Sequence, residues 1–263
     1  MSFDNLGDRM KDYENVSRIT LVKKMPVIIR LDGKAFHSFT RGMERPFDKI
    51  LMAAMQETCK YLCENVMGCK LAYTQSDEIS LLLIDYERQE SQQWFSNGLQ
   101  KMVSVSASMA TLAFNKNFRE LVEAAAYAGG FFDTEDDYQK YVKKYEKALF
   151  DSRAFILPKE EVCNYFIWRQ QDASRNSIQM VAQSLFSHKQ LNKKNTGELQ
   201  EMMWREHNIN WNDYTVPEKR GICIVKEQYD KDGTTRTRWI ADKEIPVFTQ
   251  DRDYIDKHVF LPK

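Results

Sequence analysis

The sequence has no charge bias to interpret. Lysine and arginine total 38, aspartate and glutamate total 38, in 263 residues. A strongly basic chain would point to nucleic acid; here any surface for a polyanion has to come from a local patch. Long hydrophobic runs are missing too, so nothing approaches the roughly 20 apolar residues of a membrane-spanning helix. The first residues show no signal-peptide pattern, and a cytoplasmic protein without membrane contact is expected. Cysteine is scarce and unpatterned. The five cysteines (Cys59, Cys63, Cys69, Cys163 and Cys223) form no C-x-x-C pair, which removes the usual zinc spacings, and their odd number fits reduced thiols. Cys59 and Cys63 are one helical turn apart and are expected in the core. Internal repeats and low-complexity linkers are absent. With 43% hydrophobic and 29% charged residues, the chain reads as an ordinary globular protein. It is long enough to bury a sizeable core as one large domain or two small ones.

Two stretches stand out. Residues 26–39 read Pro-Val-Ile-Ile-Arg-Leu-Asp-Gly-Lys-Ala-Phe-His-Ser-Phe. The apolar run predicts a buried strand that delivers Asp32 to its end, where Gly33 turns the backbone and leaves its carbonyl unobstructed. Lys34, Phe36 and His37 then offer a cation, an aromatic face and an imidazole. An Asp-Gly that merely ends a strand is the plain alternative. In residues 71–85, two apolar runs flank Thr74-Gln-Ser-Asp-Glu78, a hairpin pattern whose tip presents Asp77 and Glu78. Between the stretches, residues 47–67 carry Ile50, Leu51, Ala54, Met55, Thr58, Leu62 and Val66 at helical spacing. In a split βαβ arrangement the first strand and the hairpin share a sheet, so Asp32 and Asp77 are expected to face each other across neighbouring strands. Close carboxylates repel unless a cation lies between them. Oxygen ligands without a cysteine or histidine cluster suit magnesium rather than zinc.

The segments Arg30-Leu-Asp-Gly-Lys-Ala-Phe-His-Ser-Phe-Thr40 and Gln75-Ser-Asp-Glu78 resemble the two signature segments of the tRNA(His) guanylyltransferase family. Its members are 3′–5′ polymerases with a palm like that of ordinary polymerases. The resemblance implies nucleotidyl transfer with two magnesium ions, GTP, ATP and other nucleoside triphosphates as substrates, and tRNA as partner. A homotetramer is implied by the family alone. On this reading Asp32 and Asp77 bridge the metals, and the Gly33 carbonyl completes one shell. Glu78 is an outer-shell organiser or a third ligand. Amides and side chains of Lys34, Ala35, Phe36 and His37, with Ser76, would contact the nucleotide and its phosphates.

Further along the chain, Arg41 and Arg45 flank the polar connection before the next helix. They are two solvated cations or a clamp over a triphosphate, and Arg45 stands where the family often has a lysine. Residues 94–117 form a second amphipathic pattern, with Phe95, Leu99, Met102 and Phe114 among its apolar positions, read as core. Lys101 lies off that stripe. The small, glycine-bearing stretch 124–132 is expected to be a loop. Residues 134–150 begin with acids and continue with Lys140, Lys143, Lys144 and Lys147. That order complements a helix dipole, which is sufficient reason for it; the four lysines also share a helical face that could meet an RNA backbone. Residues 150–157 complete a four-stranded sheet. The fold expected is α+β: a ferredoxin-like βαββαβ palm, as in polymerases and nucleotidyl cyclases, with a C-terminal helical and β-hairpin extension. The palm-type catalytic domain is placed at residues 1–134 with its last strand near 150–157, and residues 135–263 pack on it.

Residues 164–177 fit a helix on which Arg169 and Asp172 could pair, and its Trp-Arg-Gln-x-Asp segment is again similar to the family. Residues 183–203 are read as a second helical stretch, and Asp230-Lys-Asp-Gly233 as the turn of a strand hairpin. Family members that mark tRNA(His) with one extra guanosine carry His-Ile-Asn-Asn where this chain has Ser174-Arg-Asn-Ser177. The resemblance therefore favours the guanylyltransferase-like branch, which repairs tRNA 5′ ends by copying the opposite strand. Single-guanosine addition is the alternative. A nucleotidyl cyclase and a non-catalytic nucleotide- or RNA-binding module are the readings from other classes.

Overall fold

The computed structural model describes residues 5–260. Its elements run α1 (Leu6–Val16), β1 (Val27–Gly33), α2 (Phe36–Phe39), α3 (Lys49–Asn65), β2 (Cys69–Gln75), β3 (Glu78–Leu83), α4 (Leu99–Ala128), α5 (Glu135–Val142) and β4 (Phe150–Ile156). They continue as α6 (Lys159–Leu185), α7 (His188–Leu191), α8 (Thr196–His207), α9 (Val216–Arg220), β5 (Ile222–Lys231), β6 (Thr234–Asp242) and α10 (Asp253–Asp256). The six strands make one antiparallel sheet in the order β4-β1-β3-β2-β5-β6. The fold is thus a mixture of helices and antiparallel sheet.

Helices cover both faces of this sheet, which is why the runs of β1 and β3 carry apolar residues on both faces, with Arg30 and Ser80 as the polar exceptions within them, rather than alternating. On one face Ile29, Leu31, Ile79 and Leu81 pack with Met55 and Leu62 of α3 and Phe114 and Phe118 of α4. On the other, Ile28, Leu71, Tyr73 and Leu82 pack with Val162 and Phe166 of α6 and with Ile245, Phe248, Ile255 and Val259 near the C-terminus. A third cluster joins α6 to α8 through Ile178, Val181, Phe186, Leu199 and Met203. All five cysteines are buried and free. Among the described residues, no helix is long and apolar enough to cross a membrane.

Three local expectations are corrected. Residues 124–128 continue α4 instead of forming a loop, because alanine is the best helix former and the run stops only at Gly129, which takes φ +73°. Residues 183–203 are not one helix: α6 extends to Leu185, and capping boxes at Ser187 and Asn195 start two new helices, with Gly197 inside the first turn of α8. The lysine-bearing segment stays helical only to Val142, and turns follow as far as Glu146, whose φ is +59°. At the C-terminus, β5 and β6 meet at Asp232-Gly233, both with positive φ, and β5 pairs with β2 so that the hairpin prolongs the central sheet.

Candidate active site

β1 and β3 bring their acidic residues to one end of the sheet. Asp32 lies opposite Glu78 on β3 and opposite Asp151 on β4. Directly opposed residues in an antiparallel pair share a face, so these three carboxylates stand on the α6 side. Asp77 is not the cross-strand partner of Asp32 that the sequence suggested. It occupies the Ser76-Asp77 turn between β2 and β3, where its carbonyl accepts the Gly33 N–H at 3.1 Å. The two strand ends are thereby tied together. Burial first, and then the negative charge of Asp32, raise the Asp77 pKa. The Ser76 hydroxyl donates to Asp77 Oδ1 at 3.1 Å, and Ser76 itself has φ +49°.

Glu78 is held from behind. Arg169 Nη1 donates to Glu78 Oε2 at 3.1 Å, and Arg30 Nε stands 3.3 Å from the same oxygen. The Arg30 guanidinium also reaches Asp32 Oδ2 at 3.5 Å. The other side of Arg169 meets Asp172 at 2.6 Å, the helical pair expected from spacing, and Arg175 closes the chain on Asp172. Trp168 lies against Arg169, whose guanidinium carbon is 3.8 Å from the ring centroid. Burial raises the Glu78 pKa and the two guanidiniums oppose it. Its Oε1 is buried without a protein partner. Sequence reasoning missed Arg30 and the Arg169–Glu78 pair. Arg30 was legible, since two residues along a strand is the same face.

The loop after β1 departs from its reading in an instructive way. Gly33 lies in the strand and its φ is not left-handed; a Cβ there would stand 2.3 Å from the Phe36 ring. Glycine is needed for clearance rather than for turning, and the turn falls to Ala35 at φ +56°. The Phe36 ring is not an exposed stacking face. It is buried against Phe39, Phe114 and Phe150 at 4.9, 5.4 and 5.2 Å between centroids. That leaves the backbone of this turn for any ligand. The amides of Ala35, Phe36 and His37 donate to no acceptor among the described residues, and Lys34, Ala35 and His37 are exposed. Successive free amides make an anion-binding concavity.

Two cavities lie near the strand ends; Asp32, Asp77 and Glu78 line neither, but one reaches Ser76 and the other Lys34 and Ala35. Beyond β2, about 420 Å³ is enclosed by Phe47, Leu51 and Met52 at the start of α3, Ser76 at the hairpin tip, and Asn176 and Ser177 of α6. The start of α3 is fixed by Asp48, its N-cap, which accepts from Leu51 N at 2.7 Å and from the Tyr141 hydroxyl. Ser177 has its hydroxyl engaged by Trp211 Nε1 at 2.9 Å. A second cavity of about 550 Å³, between α2 and the α5 segment with Leu149 ahead of β4, is lined by Lys34, Arg41 and four lysines of the segment that follows Thr134. Arg45 is exposed, lines neither cavity and makes no ion pair among the described residues. Lys101 stands 6.0 Å from the Phe95 ring.

As metal donors, Asp32, Asp77 and the Gly33 carbonyl are all hard oxygens. Among the described residues no group of three or more histidine, cysteine or acidic side chains is arranged around a common centre. Such a sparse set fits magnesium, which binds through one or two carboxylates and fills its octahedron with water and substrate phosphate. It does not fit a structural zinc site.

Comparison with known proteins gives a consistent result. A family model described as tRNAHis guanylyltransferase matches residues 7–158. The chain is similar to a bacterial tRNA(His) guanylyltransferase-like protein solved in complex with ATP: TM-score 0.84, 50% identity, 98% of this chain and 100% of that one covered. For a bacterial protein of the same description solved in complex with GTP, the values are 0.80, 48%, 98% and 100%. The tRNA(His) guanylyltransferase of Schizosaccharomyces pombe is 27% identical over 240 residues, spanning 85% of this chain and 81% of its own.

Proposed function

Since the chain belongs to the tRNA(His) guanylyltransferase family and is therefore a nucleotidyltransferase, we propose that it repairs tRNA 5′ ends by 3′–5′ nucleotide addition directed by the opposite strand. The observation that carries this reading is the pair Asp32 and Asp77. The charge of Asp32 acts on Asp77, the Gly33–Asp77 backbone bond ties their strand ends together, and both stand at the end of a helix-covered sheet. The unit from β1 to β4 acts as a ferredoxin-like palm.

In the first step the RNA 5′-monophosphate attacks the α-phosphorus of ATP or GTP and pyrophosphate leaves. In the second, the 3′-hydroxyl of an incoming nucleoside triphosphate attacks the activated 5′ phosphorus and the nucleoside monophosphate leaves. Such chemistry needs positioning and charge neutralisation more than covalent help. Bound magnesium, two ions held by Asp32, Asp77 and the Gly33 carbonyl, would neutralise phosphate charge and lower the pKa of the attacking hydroxyl. The free amides of Ala35, Phe36 and His37, with Lys34 and Ser76, hold the phosphates. The imidazole of His37 adds a donor at the same exposed turn. Glu78, gripped by Arg30 and Arg169, keeps the end of β3 rigid beside Asp32. Arg45, exposed and without an ion pair, is a further cation for the triphosphate. The apolar wall of the cavity beyond β2 suits a nucleobase, and the complexes of the similar bacterial proteins with ATP and GTP support nucleoside triphosphates as its occupants.

The branch assignment rests on residues 174–177, where Ser174 stands in place of the histidine of the single-addition branch. Of these residues Asn176 and Ser177 line the cavity beyond β2 and Ser174 does not, and the Ser177 hydroxyl accepts from Trp211 Nε1. With no histidine there to favour one nucleotide, base pairing makes the choice. The protein would work as a cytoplasmic homo-oligomer. A bare apolar stripe on α1 supports assembly: Leu6, Met10 and Tyr13 are exposed and no residue of that helix is buried.

The test is incubation of a 5′-truncated, 5′-phosphorylated tRNA with each nucleoside triphosphate. The nucleotide added should follow the facing base when that base is swapped. Guanosine added equally opposite every base would place the enzyme in the single-addition branch instead. Asp32→Ala and Asp77→Ala should both abolish transfer while remaining folded by circular dichroism. Arg45→Ala should weaken nucleotide use and Arg45→Lys restore most of it; equal activity of the three proteins would remove Arg45 from the site.

A further inference from the structure

The second cavity gathers six cations: Lys34 and Arg41 from either side of α2, Lys140 from α5, and Lys143, Lys144 and Lys147 from the segment after it. Their local balance differs from that of the chain. Lys140 is neutralised by Asp137 at 2.7 Å. Lys144 spends its ammonium on the carbonyls of Phe39 and Arg41, which pins residues 39–41 to the turns after α5; burial, and the like charges of Lys147 and Arg41, lower its pKa. Lys34, Arg41, Lys143 and Lys147 make no ion pair with any described residue. The dipole argument for these lysines covers only the end of α5, because the helix stops at Val142. Four uncompensated cations held around one hollow, in a chain of zero formal charge, form a surplus that a polyanion would relieve.

The rest of the lining narrows the occupant. Ala35, Ser38, Phe39 and Leu149 offer no amide side chain to read a base edge. The Phe39 ring is engaged by Phe36, Phe114 and Phe118 and is not free to stack on a base. Apart from the Ser38 hydroxyl, the polar side chains of the lining are all cations, and such a wall favours a phosphate backbone. The lining also includes Lys34 and Ala35, so a strand resting in the cavity lies next to the turn that follows Gly33.

We propose that this cavity seats the phosphate backbone of the RNA strand next to the 5′ end being extended. The inference rests on RNA being the substrate, as set out above. The test uses Lys143→Ala/Lys147→Ala, two exposed positions that belong neither to the carboxylates nor to the turn of residues 34–37. Binding of a 5′-monophosphorylated RNA hairpin carrying a tRNA acceptor stem is measured over a salt series, and binding of a fluorescent ATP analogue in parallel. The variant should bind the hairpin about tenfold more weakly, and its slope of log K against log salt should be shallower by about 1–2, as expected for two lost phosphate contacts. Affinity for the nucleotide should be unchanged, and Lys143→Arg/Lys147→Arg should recover RNA binding. Unchanged RNA affinity and slope in the alanine variant, with a wild type that binds, would overturn this inference and leave the proposed function standing. Lost nucleotide affinity with RNA binding kept would overturn it in favour of a triphosphate subsite. A wild type that does not bind the hairpin would overturn both.

Discussion

Asp77 carries its charge where burial and Asp32 both oppose it. A carboxyl whose folded pKa is raised leaves stability untouched at pH values below its unfolded pKa. It costs stability increasingly as pH rises through the folded value. Asp77→Asn should therefore melt at a higher temperature than the wild type near neutral pH, lose that advantage below the ordinary carboxylate range, and be catalytically dead. An advantage that persists in acid would show that repulsion is not its source. At Gly33 the opposite sign is expected. Its Cβ would stand 2.3 Å from a Phe36 ring that is wedged among other rings and cannot swing away. Gly33→Ala should cost about 1–3 kcal/mol of overpacking, read from urea unfolding. Asp32, Asp77 and Glu78 were legible because each stands where an apolar run stops. Phe36 was not, since an aromatic two or three residues past a strand end reads alike whether its ring meets a ligand or a core. The deciding fact, that the empty space over Gly33 is filled by that ring, belongs to packing.

At the scale of elements, α6 is the brace of the site. It contributes Arg169, whose side chain is 4% exposed and bonds a Glu78 that is 8% exposed. Removing one partner of a buried pair leaves a charge without compensation, so Arg169→Met should destabilise by about 3–5 kcal/mol. The double variant Arg169→Met/Glu78→Gln should lose less than the sum of the single changes. Additive losses would show that Arg30 alone suffices for Glu78. Helical spacing revealed α3, α4 and the Arg169–Asp172 pair, because those contacts repeat every three or four residues. It could not reveal Arg169 with Glu78, which are joined across 91 positions by the way α6 crosses the sheet. The same limit explains residues 183–203: their periodicity survives two capping boxes that restart the helix twice.

For the whole molecule, one sheet carries everything described. The order β4-β1-β3-β2 puts the strands of Asp32 and Glu78 side by side in the middle, and β5 prolongs the sheet through Gly221, where a Cβ would lie 2.5 Å from the Thr74 carbonyl at φ +79°. The strands and the hairpin turn were readable from local pattern; that β5 would find β2 was not, since pairing partners leave no spacing in a sequence. The bare stripe on α1 has no packing partner within the described chain. Met10→Lys/Tyr13→Lys should shift the protein toward monomer in sedimentation at fixed concentration, with the fold unchanged by circular dichroism. An unchanged distribution would mean that another surface assembles it.

The register of β1 also sets when the enzyme can come into being. Asp32 acquires one neighbour from residue 78, the other from residue 151, and the brace on Glu78 arrives only with residue 169. Contacts of such sequence separation form late and slowly. A chain emerging from the ribosome thus displays all three carboxylates long before it can act, and a product truncated ahead of α6 would keep every signature residue yet remain inert.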